Sequence, residues 1–75
     1  MQRKLFRELW ILRFEKMLRL EEEGIVTYES FLDECRKNHK SEKEVQEQLK
    51  TLITDEKKHA RLVRELLKIV KRQED

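Results

Sequence analysis

The chain has no proline, a single glycine (Gly24) and a single cysteine (Cys35). Without proline, and with one glycine, it lacks the turn chemistry that a set of β-hairpins requires. One cysteine excludes an internal disulfide framework and any four-cysteine metal site, and nothing points to a secreted compartment. No apolar run approaches the roughly 18 to 20 residues a membrane span takes. The basic start, Met1 to Glu8, is followed by interspersed charges, unlike a signal peptide. One-sided charge is missing too: 18 Lys+Arg stand against 16 Asp+Glu, a net charge of +2, with both signs mixed along the chain. A nucleic-acid binder usually shows a basic excess. These absences lead to the expectation of a cytoplasmic protein with neither a nucleic-acid nor a membrane partner.

What is present is charge and helix-forming side chains. Charged residues make up 45% of the 75 residues and hydrophobic ones 37%, against about a quarter and nearly half in an average domain. Glu, Lys, Arg and Leu dominate, and all four favour helices. A chain of this length forms one domain with a thin core, burying only about 60% of its unfolded surface. The prediction is all-α.

One break divides it. Arg36 to Ser41 contains no apolar residue, and Ser41-Glu-Lys-Glu44 has the form of a capping box that opens a helix. The expected elements of the single 1–75 domain are a helix over about 2–38, a connector over about 39–41 and a helix over about 42–72. A short polar connector implies an antiparallel hairpin. Trp10, Phe14, Met17, Glu21, Gly24, Tyr28, Phe31 and Cys35 recur at 4,3 spacing, with Ile11, Leu18, Ile25 and Leu32 on a neighbouring line. In the second helix Val45, Leu49, Leu52, Glu56, His59, Val63, Leu66 and Val70 follow the same rule. Such spacing makes the inward seam of a bundle. Leu5, Leu9, Leu12, Ile53, Leu62, Leu67 and Ile69 would then stay wet in a lone hairpin. The chain is therefore expected to associate with itself as a two-fold dimer that completes a four-helix bundle.

Three polar residues occupy seam positions where apolar ones belong: Glu21, Glu56 and His59. A carboxylate in a seam is costly unless it is paired or binds a metal. Glu56 and His59, three apart, share one helix face. With the turn near residue 40, Glu21 and His59 stand at one height, and Glu56 lies less than a turn away. The three are therefore candidate metal ligands, and their carboxylate and imidazole donors suit iron or manganese.

Leu20-Glu-Glu-Glu-Gly-Ile-Val-Thr-Tyr28 resembles the first metal-binding helix of ferritin-like and rubrerythrin-like proteins, with Glu21, Gly24 and Tyr28 in the matching places. Asp55-Glu-Lys-Lys-His-Ala60 resembles the partner helix with its Glu-x-x-His. Having one such pair, the chain is similar to the two-helix half-ferritins, of which the encapsulated ferritins are the best-known group. That resemblance implies a di-iron site completed between two chains, with two iron ions per dimer or manganese in their place. It also implies ferroxidase-type oxidation of Fe(II) by O2 or peroxide, with Glu21, Glu56 and His59 as metal-binding and catalytic residues. An encapsulin-type shell is an implied partner, yet Lys71-Arg-Gln-Glu-Asp75 is not an apolar, glycine-containing targeting tail. Rubredoxin-type cysteines are absent.

The other residues of note have plainer readings. Glu22 and Glu23 fall off the seam and either face solvent or line an inlet for cations. Tyr28 is a core residue or a hydrogen-bond partner of a ligand carboxylate. Trp10, Phe14, Met17 and Phe31 read as packing, Cys35 as a small apolar residue and His39 as exposed. Two rival readings stand beside the metal site. In one, Glu21, Glu56 and His59 form a polar layer that sets the register of a structural hairpin dimer. In the other, the basic N-terminus (Arg3, Lys4, Arg7, Arg13) contacts an anionic surface.

Overall fold

The structure is a computed structural model that describes residues 2–37 and 43–73. It consists of two helices packed side by side, α1 (Gln2–Lys37) and α2 (Lys43–Arg72), with no strand among the described residues. The helices stop within a residue of the expected bounds. The connector and the Ser41 cap lie outside the described residues, as does His39. The hairpin is a rod of 59 × 14 × 12 Å, close to the roughly 54 Å of a 36-residue helix at 1.5 Å per residue.

The electrostatics of the helix ends mostly follow the macrodipole. Arg36 and Lys37 close α1, Glu44 sits in the first turn of α2, and Lys71 and Arg72 close it. The first turn of α1 breaks the rule, with no acidic residue there. The last turn of α2 is held from across the hairpin. Arg7 donates from Nε to the Val70 carbonyl (3.2 Å) and from Nη2 to the Lys71 carbonyl (2.8 Å). It thus satisfies the free Lys71 carbonyl and adds a second donor at Val70, whose carbonyl also accepts from the Gln73 N–H (3.2 Å).

The core is thin: Leu32, Ile53, Ala60, Val63 and Leu67 are the buried apolar residues. Ile11, Phe14, Leu18, Ile25, Tyr28, Cys35, Leu49 and Val70 are half-buried beside them. This corrects the expected seam by part of a turn. On α1 the line Ile11, Leu18, Ile25, Leu32 faces α2, and Trp10, Met17 and Phe31 do not. On α2 Ile53 and Leu67, expected to be wet, are buried. Val45, Leu52 and Leu66, expected inside, are 41–46% exposed. The physical reason is that both helices carry two adjacent apolar lines, while one hairpin can bury only one of them.

Cross-helix ion pairs accompany this choice. Glu29 pairs with Lys57 and Glu22 with Arg64, each at 4.0 Å. Seven residues back along α1 is matched by seven forward along α2, so the pairs repeat along one antiparallel register. They define a charged flank of the hairpin. The residues just before the seam positions, rather than just after, form the opposite flank: Trp10, Met17, Gly24 and Phe31 on α1, and Val45, Leu52, His59 and Leu66 on α2. That flank is apolar and uncovered.

Candidate metal centre

Glu21 and Glu56 occupy the seam itself, near the middle of the rod, and His59 stands beside them on the apolar flank. The expected shared height holds. Each residue offers one donor atom, and these atoms lie within 4.8 Å of one another. His59 Nδ1 is 4.0 Å from Glu21 Oε2 and 4.0 Å from Glu56 Oε1. The two carboxylates are mostly covered, whereas the His59 side chain is 56% exposed. The expectation that His59 lies in the buried seam is therefore corrected: it faces outward, at the rim of the pair.

The carboxylates are poorly served by the hairpin alone. With both ionised, Glu21 Oε2 is buried without a hydrogen-bond partner. A proton on Glu56 would supply a hydrogen bond to Glu21. That bond is the main reason the Glu56 carboxyl is held above its ordinary range; burial and the Glu21 charge act the same way, and His59 opposes them. Proton or cation, something positive is favoured between these two side chains. Two hard carboxylate groups and an imidazole form a donor set suited to a divalent first-row metal, and the orphaned Glu21 oxygen fits one.

The neighbouring residues sort themselves differently. Glu22 and Glu23 are exposed on α1. Glu22 belongs to the charged flank through Arg64, away from His59. Tyr28 is half-buried in the seam, and no hydrogen bond joins its hydroxyl to Glu21 or Glu56 among the described residues. Gly24 leaves room beside the site without being demanded by it, since a Cβ there would meet Glu56 Oε2 at an ordinary 3.8 Å. Trp10 stacks on Phe14 at 5.5 Å between ring centroids, under the Arg13 guanidinium at 5.2 Å. Cys35 is half-buried and unpaired.

Sequence reasoning passed over Ala60, the most completely buried core residue. Its signal was its place next to His59: a small side chain on the seam at the height of the two carboxylates leaves them space.

The chain matches no known protein family, no curated protein and no solved structure. The all-helical hairpin and the clustering of Glu21, Glu56 and His59 are what is established about it.

Proposed function

We propose that the chain is a ferritin-like metal-binding protein that works as a homodimer. Glu21, Glu56 and His59 of each copy would together hold two iron ions, or manganese, at the interface. The observation that carries this reading is the position of the cluster. Its two carboxylates share a site with an unpartnered buried oxygen, and its histidine opens onto the uncovered apolar flank.

A second copy meeting that flank by two-fold symmetry would cover the apolar side chains. It would also raise three donor residues to six, the four carboxylates and two imidazoles of di-iron and di-manganese bundles. Iron held by such oxygen-rich ligands is readily oxidised from Fe(II) by O2 or peroxide, a ferroxidase-type activity. The role of this chain is to hold Glu21 and Glu56 together in a half-covered seam, to present His59 at its edge and to exclude bulk water by packing around them.

Protein loaded anaerobically with Fe(II) and desalted should retain about two iron ions per dimer. Exposure to air should then produce ferric absorbance faster than buffer alone. His59→Ala should weaken retention, and Glu56→Ala should weaken it further. Wild-type protein that retains no iron or manganese would leave a structural hairpin with a polar register layer.

A further inference from the structure

The first three turns of α1 combine two features the metal site does not explain. The first is charge. A helix N-terminus favours acidic side chains, yet this one begins with Arg3 and Lys4 and has no acidic residue in its first turn. Arg7 ties it to the last turn of α2, so Lys68, Lys71 and Arg72 gather at the same end of the rod. Residues 2–16 and 65–73 together hold eight Lys or Arg against three Glu. Counting Glu74 and Asp75 of the sequence still leaves an excess of three. At the other end, residues 31–37 and 43–50 hold four of each sign. The rod is electrically lopsided.

The second feature is apolar surface outside the flank already described. Leu5, Leu9 and Leu12, spaced four and three apart, lie on one face of α1. Leu5 and Leu12 are 67% and 65% exposed. Phe6, 59% exposed, lies beside them. These residues lie on the outer side of α1, away from α2, and a second copy on the apolar flank would leave the leucines free. Apolar residues thus surround the outer half of the helix instead of forming one stripe.

We propose that this end of the hairpin docks on the surface of an anionic lipid bilayer, with Leu5, Phe6, Leu9 and Leu12 entering the headgroup boundary and the basic residues meeting lipid phosphates. Charge complementarity selects the sign of the partner. Like charge on two such ends opposes their pairing with each other. The breadth of the apolar arc suits a fluid interface better than a protein groove, which takes one narrow helix face. Lys and Arg can lay their stems along the apolar surface while their heads reach phosphate. The absence of a membrane-spanning run has no bearing on such contact. It is also independent of the metal site, whose residues lie at mid-rod.

The test uses the full chain in EDTA with vesicles of phosphatidylcholine, with and without phosphatidylglycerol. The chain should sediment with phosphatidylglycerol vesicles and be released at high salt. Arg3→Gln with Lys4→Gln should weaken binding roughly thirtyfold. Leu5→Gln with Leu12→Gln, at exposed positions that leave the hairpin folded by circular dichroism, should weaken it about tenfold or more. Arg61→Gln on the charged flank should change neither result. Failure to bind phosphatidylglycerol vesicles, or binding indifferent to the leucine changes, would overturn the proposal. So would equal capture by polyglutamate or RNA, which would assign the end to an acidic polymer.

Discussion

The two flanks of the hairpin are built from the same helices and come out opposite in character. On one, Glu22 and Glu29 of α1 meet Arg64 and Lys57 of α2 across the seam. On the other, Trp10, Met17 and Phe31 lie exposed beside Val45, Leu52 and Leu66. The first flank is nearly finished: its charged side chains are at home in water with or without their partners, although Val26, 65% exposed, lies among them. The second is unfinished: large exposed apolar patches mark interaction surfaces in soluble proteins. The second flank is where a covering surface would add stability, and His59, 56% exposed, stands on that side.

The comparison can be broken most severely on the apolar flank. A glutamate placed there would be buried unpaired at the proposed dimer interface, at a cost of about 3 kcal/mol or more. Leu52→Glu should therefore raise the dimer dissociation constant at least a hundredfold, as read by sedimentation equilibrium. The matching change on the other flank, Arg61→Glu, should leave association unaltered. Equal responses would mean that the apolar flank is not the interface.

The next effect separates the carboxylate pair from both flanks. The Glu56 carboxyl is raised by its hydrogen bond to Glu21, by burial and by the Glu21 charge. A raised folded-state value means the folded protein binds more protons than the unfolded chain above the ordinary glutamate range. Stability of the metal-free protein should then fall as pH rises from about 4.5 through the raised value. Glu56→Gln should flatten that limb and raise the melting temperature near neutrality. Denaturation followed by circular dichroism in EDTA across this range measures both effects.

Smaller again is the Arg7 clamp. Arg7→Ala removes two side-chain hydrogen bonds to the final carbonyls of α2 and should cost about 1–2 kcal/mol. Faster amide exchange would be confined to the last turn of α2. The smallest effect belongs to the charged flank. Arg64→Ala breaks an exposed pair with Glu22 and should alter stability by less than about 1 kcal/mol. A larger loss would show that the ion pairs hold the hairpin together.

Much of this was legible in the chain. Two 4,3 repeats separated by Arg36 to Ser41 gave helix count, length and antiparallel sense, because period and apolar spacing are local properties. The meeting of Glu21, Glu56 and His59 followed from counting outward from the turn. The inward face was harder to read. Phe14, Glu21, Tyr28, Leu49, Glu56 and Val63 lie on the seam under either phase, but the spacing put Trp10, Leu52 and His59 inside where the structure buries or half-buries Ile11, Ile53 and Ala60. The complementary charges of Glu22 and Glu29 with Arg64 and Lys57 accompany the observed phase. Those charges act only when the helices are set side by side.

The amino-acid sequence by itself determined that this protein is two long charged helices with polar residues at one height, since helix propensity, spacing and chain length act within each segment. The tertiary structure alone decided which apolar line is buried and that His59 stands at the rim. It also decided that Arg7 reaches the end of α2 and that one flank is left bare. Those outcomes depend on the rotation of one helix against the other. That rotation depends on how the two seams pack against each other, and no single stretch of sequence contains it.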